Sequence, residues 1–178
     1  GFFSKYLLKQ NIKSLDITDG RDECVNYLKN KFSKKNLFKL DLNKLNNIHK
    51  SYDCCFAYGV LYHVENLDNA IENINRLTNN FCIIETIVTH DKNDKKKMQI
   101  VEENIDVASQ SITGKAARFK RDYLIKKLND KFKYVYTCNK QPFHSQFPKN
   151  WHKENKGISR FVVIGSRIEL NSKKLNEK

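Results

Sequence analysis

Apolar residues recur along the chain in two kinds of block, which predict helices and strands in alternation. In the helical blocks they lie three or four positions apart, which predicts helices at residues 2–10, 22–32, 67–77 and 124–132. The other blocks are short, nearly continuous apolar runs, which predict strands at residues 12–18, 37–42, 52–58, 81–88, 133–138 and 160–168. Two-sided apolar strands that alternate with helices are typical of a parallel sheet covered on both faces.

The pattern changes after residue 89. Residues 98–114 are weakly patterned, and a helix is the element expected there. The strands at 133–138 and 160–168 have no helix between them, so the last one is expected to run antiparallel. The resulting fold class is an α/β three-layer sandwich. It is expected to form one domain over residues 1–170, followed by a frayed basic tail over residues 171–178.

The amino-acid composition is that of a folded protein, and it makes a nucleic-acid partner or a membrane span less favoured. The 178 residues are 39% hydrophobic and carry a net charge of +13, with 27 Lys but only 6 Arg. The 21 Asn and 15 Ile share AT-rich codons with Lys, so base composition explains much of the excess. Nucleic-acid readers favour the bidentate fork of Arg, so a solvated Lys-rich surface is favoured over a nucleic-acid partner. No apolar run reaches the roughly 18–20 residues of a membrane helix.

The cysteines indicate a reducing compartment. Their number is odd, no C-x-x-C occurs, and four of the five lie inside apolar runs. Small buried hydrophobes are therefore favoured over a disulfide framework or a metal site, and a cytoplasmic location is expected. Oligomeric state leaves no mark in the sequence.

Candidate binding residues follow the predicted strands, because ligands of open parallel sheets bind at the carboxyl ends of the strands. These ends carry Asp19-Gly20, Asp41-Leu42, Tyr58-Gly59 and Glu85-Thr86. One acidic residue can accept both ribose hydroxyls and the next can accept the adenine amine, which describes a nucleoside site. Each Asp alone fits a turn or a helix cap equally well. The joint spacing, with Gly1 18 residues before Asp19, favours the nucleoside site.

Three segments resemble one known family, the class I S-adenosylmethionine-dependent methyltransferases. Gly1-Phe2-Phe3-Ser4 is similar to the last glycine of the family's glycine-rich turn and the helix that follows it. The segment from Tyr52-Asp53 through Gly59-Val60-Leu61-Tyr62-His63-Val64 resembles the family's fourth-strand motif. The stretch from Gln141-Pro142 through Trp151 to Phe161 resembles a bacterial subgroup. The resemblance implies a Rossmann-like, mostly parallel sheet whose first strand is missing. An N-terminally cut domain of a longer enzyme is therefore expected.

The resemblance also assigns roles by position. It places Gly1 and Phe2 beside the methionine part of S-adenosylmethionine, Asp19 with Gly20 at the ribose, and Asp41 with Leu42 at the adenine. It places Tyr58 and Gly59 at the pocket where the methyl group is delivered to a small-molecule or sugar acceptor.

His63 lies near that pocket, and two interpretations of it stay open. It can act as a general base toward a hydroxyl, since His titrates near neutral pH. It can also be a histidine at a helix start that only packs or hydrogen-bonds, because catalysis in the family is often mainly positioning. The loop around Trp151 is equally open between a substrate lid and a plug over the sheet.

Two rival functions remain at this point. A nicotinamide-dependent dehydrogenase shares an acid after the second strand, but the antiparallel last strand argues against it. A cofactor-free basic domain that contacts RNA is the second rival, and it would show a steep loss of affinity with salt.

Overall fold

A computed structural model of the chain describes residues 2–32, 36–89, 97–140, 142, 146–147 and 158–178. The helices are α1 (Phe2–Leu7), α2 (Asp22–Lys31), α3 (Leu67–Leu77) and α4 (Arg121–Asn129), with a 3₁₀ turn at Leu61–His63. The strands are β1 (Asp16–Asp19), β2 (Asn36–Lys39), β3 (Tyr52–Tyr58), β4 (Thr78–Thr89), β5 (Met98–Glu102), β6 (Lys115–Lys120), β7 (Tyr134–Cys138), β8 (Ile158–Ser166) and β9 (Leu175–Glu177). No helix in these ranges is long and apolar enough to cross a membrane.

Strand β4 is the centre of the main sheet. One edge pairs parallel with β3 and, at its last two residues, with β6. The other edge pairs antiparallel with β8 from Phe81 to Thr89, and β8 pairs antiparallel with β7. The prediction of an antiparallel last strand is therefore confirmed, and so is the mixed, Rossmann-like α/β class.

The two faces of the main sheet carry different partners because successive side chains of a strand point to opposite sides. Cys82, Ile84 and Val88 of β4 enter a core shared with α3 and α4. On β3, the rings of Phe56 and Tyr58 pack against Phe3 of α1, at centroid distances of 6.0 and 4.6 Å. Helices thus cover the sheet from both sides, as a three-layer sandwich requires.

Strands β1 and β2 form a parallel pair of their own, separate from the main sheet. The expected parallel sheet included the strand predicted at residues 12–18 beside those at 52–58 and 81–88, and that part of the expectation is wrong. Within the described ranges, the second edges of β1 and β3 pair with no strand, so nothing links the two sheets by a backbone ladder. Truncation of the chain itself stays a prediction.

Residues 98–114 differ from the predicted helix. Residues 98–102 form β5, which pairs antiparallel with β6 over five positions. Alternation of exposed and half-buried positions along Met98–Glu102 is weak, since only Val101 is half-buried there. Residues 98–102 therefore form a strand because they pair with β6, and the local sequence pattern carries no information about that pairing.

The chain end also differs from expectation. Sequence reasoning predicted a frayed tail over residues 171–178, whereas residues 175–177 form β9 and pair antiparallel with β7. The Lys178 N–H adds a bond to the Val135 carbonyl at 2.7 Å.

The cysteines are all free thiols, and their burial varies more than expected. Cys82 is buried on β4, but Cys54 on β3 is exposed and the others are half-buried. Burial raises the pKa of Cys55 and of Cys82 to about 12, which keeps both thiols neutral at physiological pH.

A polar contact joins the two sheets at the start of β1. The Asp16 carboxylate, with 7% of its side chain exposed, accepts bonds from Lys50 Nζ at 2.5 Å and from Tyr52 Oη at 2.7 Å. Asn36 of β2 donates a third bond at 3.2 Å. Burial alone would raise the pKa of Asp16, but these hydrogen bonds outweigh it and the pKa is lowered.

We expect Tyr52→Phe to lower the free energy of unfolding by about 1.5–3 kcal/mol at pH 7, because it removes a hydrogen bond to a charged, buried carboxylate. The folded pKa of Asp16 lies below its unfolded value. Its contribution is therefore present above roughly pH 4 and lost as the pH falls through the folded value. The difference between wild type and Tyr52→Phe should shrink over that interval.

Urea unfolding of both proteins between pH 7 and pH 3 measures this. Tyr27→Phe is the matched control, since Tyr27 is 62% exposed on α2. Equal destabilisation by the two variants would contradict a special role for the Asp16 contact.

Candidate active site

The predicted ribose residue, Asp19, ends β1 and lies in a tight turn. Its Oδ1 accepts the Arg21 N–H at 3.0 Å, so part of the carboxylate is used by the turn itself. The Asp19 carbonyl accepts the Leu40 N–H at 2.9 Å, which places the end of β2 beside it. Gly20 lies against Ile112, at 3.4 Å from a Cβ built on the glycine. Asp19 also lines a cavity of about 700 Å³ between α1 and α2.

The predicted adenine residues, Asp41 and Leu42, lie in a loop that α3 holds in place. Asp41 Oδ1 accepts the Asn43 N–H at 2.9 Å, which is the turn geometry that the sequence left open. Asn73 of α3 is fully buried and accepts the Asn46 N–H at 3.1 Å. Its amide donates to the carbonyls of Leu42 at 3.4 Å and Lys44 at 2.7 Å. Asn73 therefore holds the loop together with Asn69 of α3, whose amide donates to the Asn43 carbonyl at 2.7 Å.

Tyr58 and Gly59 end β3 beside a buried carboxylate. The Gly59 N–H donates to the Glu85 carbonyl at 3.1 Å, and Gly59 has a φ of +72°. A Cβ at that position would lie 3.5 Å from Tyr62 Oη and 3.9 Å from Glu85 Oε2. Burial, with the negative charge of Glu85 in second place, raises the pKa of Tyr58. The predicted residue Gly1 lies outside the described residues, and of Phe2 only the backbone, at the start of α1, is described.

Glu85 is the buried charge of this edge of the sheet. It is 2% exposed on β4, on the face opposite the α3–α4 core, and Arg160 Nη1 of β8 donates to its Oε1 at 2.7 Å. The Arg160 guanidinium also lies over the Tyr62 ring at 5.4 Å, while Arg118 lies over the same ring at 5.6 Å. The Tyr62 ring thus contacts two cations.

His63 lies next to this group and is held by a carboxylate from another element. Its Nδ1 is 2.6 Å from Oε2 of Glu103, which follows β5 directly. Arg118 of β6 donates to Glu103 Oε1 at 3.0 Å and also to the carbonyl of Tyr62. The His63 side chain remains 23% exposed, so a ligand can reach it.

The loop between β5 and β6 also reaches the turn after β1. Arg21 Nη2 donates to the carbonyls of Ser111 at 2.9 Å and Gln110 at 3.5 Å. The same loop therefore touches the predicted ribose end through Arg21 and holds His63 through Glu103.

Sequence reasoning found the strand ends but missed the residues that organise them. Glu85 stood at a predicted strand end without a role, and the roles of Tyr62, Glu103, Arg118 and Arg160 were not foreseen. The rarity of Arg in this Lys-rich sequence could have drawn attention to some of them. Three of the six arginines, Arg21, Arg118 and Arg160, lie at this edge of the sheet. The loop around Trp151 lies outside the described residues.

The fold is that of an α/β domain with polar residues at the carboxyl ends of its parallel strands, which is where ligands of such sheets bind. Residues 1–81, slightly less than half of the chain, match the family model described as "Methyltransferase domain". No curated protein matches the sequence significantly.

Solved structures share the fold at low sequence identity. The N-terminal domain of EvdMO1 with SAH bound has a TM-score of 0.70 and 15% identity, over 92% of this chain and 68% of that one. The same domain in the presence of SAH and D-fucose has a TM-score of 0.70 and 16% identity, over 92% and 70%. A S-adenosylmethionine-dependent methyltransferase from Clostridium acetobutylicum has a TM-score of 0.60 and 12% identity, over 92% and 79%.

Both findings agree with the predicted class I S-adenosylmethionine-dependent methyltransferase: residues 1–81 match a methyltransferase family model, and the chain shares the fold of such enzymes. They do not identify the methyl acceptor.

We expect Asn73→Ala to lower the free energy of unfolding by at least about 2 kcal/mol, because it leaves buried backbone groups of the loop 42–46 without partners. Denaturant unfolding measures this change. Asn30→Ala, on the exposed side of α2, is the matched control and should stay within roughly 0.5 kcal/mol of wild type. A similar small effect at both positions would show that Asn73 does not hold the loop.

Proposed function

We propose that the protein transfers a methyl group from S-adenosylmethionine to a hydroxyl of a small molecule, with His63 as the general base. The observation that carries this proposal is the 2.6 Å contact between His63 Nδ1 and the Glu103 carboxylate. The Glu103 carboxylate, from the loop after β5, fixes the orientation of the His63 ring. With Nδ1 held in this way, the other ring nitrogen is available to a ligand, as a general base requires.

The turn after β1 has the chemistry that a nucleoside requires. Asp19 supplies a carboxylate acceptor at the end of the strand. The Arg21 Nε–H beside it is a buried donor that finds no partner in the part of the chain that the structure describes. Buried donors are rarely left unpaired, so a ligand acceptor is the natural partner for this one. We propose that Asp19 and Gly20 hold the ribose end of the cofactor, and that Asp41 and Leu42 border its base.

Gly59 supports the position proposed for the methyl-transfer pocket. Its left-handed φ favours glycine, and the missing side chain leaves space between Tyr62 and Glu85. When bound, S-adenosylmethionine supplies a methyl group already activated by the sulfonium. The protein has to position the acceptor for in-line displacement and exclude water from the site.

The acceptor hydroxyl has to lose its proton during transfer, and His63 is placed to take it. The neutral ring with its proton on Nδ1 offers the Nε2 lone pair, and the partial exposure of the side chain lets a substrate reach that atom. One of the structural neighbours was crystallised in the presence of D-fucose, which supports a sugar or another hydroxyl-bearing acceptor for this chain.

We expect His63→Gln to lower kcat for a hydroxyl acceptor by roughly 10²–10⁴-fold, the usual contribution of a general base. Formation of S-adenosylhomocysteine, followed with a panel of sugars and phenols on the protein in its full natural length, measures this. His49→Gln, which changes an exposed histidine, is the control. Unchanged turnover by His63→Gln would remove the base from the proposal. A preference for amine acceptors would contradict the acceptor class.

We expect Asp19→Ala to weaken binding of the cofactor at least tenfold, because it removes charge-assisted bonds of about 1.5–3 kcal/mol each. Asp22→Ala is the control: Asp22 is exposed, pairs with Lys39 at 2.6 Å and lies in the first turn of α2. Calorimetric titration with S-adenosylhomocysteine compares the two variants. Equal affinities, with both folds intact by circular dichroism, would place the nucleoside elsewhere.

A further inference from the structure

Three nitrogen atoms contact the carboxylate of Glu103. His63 Nδ1 and the Ser111 backbone N–H contact Oε2 at 2.6 and 2.7 Å, and Arg118 Nη2 contacts Oε1 at 3.0 Å. The three nitrogens come from the 3₁₀ turn, the loop after β5 and strand β6. Glu103 is thus a point at which three separate segments are tied together.

The carboxylate of Glu103 is ionised in this setting. Burial alone would raise its pKa, but the bonds from His63, Arg118 and Ser111 outweigh it, and the pKa of Glu103 is lowered. An ionised carboxylate can only accept hydrogen bonds, so the proton of a neutral His63 ring has to lie on Nδ1. The unprotonated nitrogen is then Nε2.

We infer that Glu103 is the positioning residue of the active site, which holds His63 in the tautomer that leaves Nε2 free to accept a proton. The inference rests on the proposed function, because His63 is the base there. Glu103 does not touch the acceptor, and it acts on the reaction only through the orientation and protonation of the imidazole.

The surrounding contacts keep this orientation fixed. Arg118 bonds to both Glu103 and the carbonyl of Tyr62, so the backbone just before His63 and the carboxylate that holds its ring share one anchor. Ser111 donates its N–H to Glu103, while its carbonyl accepts from Arg21 beside Asp19. The position of Glu103 is therefore set jointly with the turn proposed for the ribose.

A purely structural role is the alternative: Glu103 could serve only to neutralise Arg118. The two roles differ in what happens at the His63 ring. If Glu103 acts on His63 directly, removing Arg118 leaves the tautomer in place, whereas removing Glu103 changes it. If Glu103 is only a partner of Arg118, neither change moves the tautomer beyond what an unrelated surface substitution does.

Nitrogen-15 chemical shifts of the imidazole ring report the tautomer without any need for turnover. They are measured on the labelled protein for wild type, Glu103→Gln, Glu103→Ala, Arg118→Gln and the control Glu102→Gln, which changes the exposed neighbouring glutamate. We expect the Nδ1–H form to dominate in wild type, Arg118→Gln and Glu102→Gln. We expect it to fall partly in Glu103→Gln and to become a minority in Glu103→Ala.

A wild-type His63 ring with its proton on Nε2 would by itself overturn the inference. An unchanged tautomer in a folded Glu103→Ala protein would overturn it as well. In turnover, Glu103→Gln should lower kcat roughly tenfold or more, a smaller loss than that of His63→Gln. A tautomer that responds to Glu103 while His63→Gln retains full activity would support the pairing and overturn the proposed function. The two failures are therefore distinguishable.

Discussion

Strand β4 is the constraint on which the rest of the domain depends. It pairs on both edges, and Cys82, Ile84, Thr86 and Val88 are fully buried on the face toward α3 and α4. Twelve residues in one strand allow β3 and β6 to follow one another along the same edge, while β8 lies along the other. Glu85, on the second face of this strand, is only 2% exposed, so a charged partner within the fold has to replace its hydration. That partner is Arg160 of β8, which also contacts the Tyr62 ring.

The elements predictable from sequence are those whose signal lies within the element. β3 occupies residues 52–58 and α3 occupies residues 67–77, as their apolar patterns predict. β5 and β9 were not predicted, because their identity depends on pairing with β6 and β7, and pairing partners distant in sequence leave no local pattern. The separation of β1 and β2 from the main sheet has the same origin. Local apolarity predicts a strand, but it does not say which strand lies beside it.

The same distinction between local and long-range signals applies to the residues of the candidate site. Asp19 and Tyr58-Gly59 could be chosen from sequence because strand ends are local features and ligand sites follow from sheet topology. Glu103 could not, since it meets His63 across 40 positions of sequence and lies in a segment predicted as helix. Asp41 shows the opposite difficulty. Its carboxylate caps a turn, which is the local alternative. The loop around it is held by side chains from distant positions, Asn69 and Asn73 of α3, which a local pattern does not report.

The distribution of arginine and lysine connects the composition of the chain to its chemistry. Lys outnumbers Arg 27 to 6. The Lys side chains that pair with Asp16, Asp22 and Asp41 are half exposed or more, whereas Lys127, paired with Asp68, is 25% exposed. The two most buried glutamates of the site pair instead with Arg118 and Arg160, whose side chains are only 15% and 26% exposed. A guanidinium is more weakly hydrated than an ammonium, offers a fixed fork of donors and stacks on an aromatic ring. Both arginines use that last property on Tyr62. In a chain with 27 Lys and 6 Arg, the two buried glutamates beside Tyr62 thus pair with the planar cation whose weaker hydration and ring stacking suit a buried position.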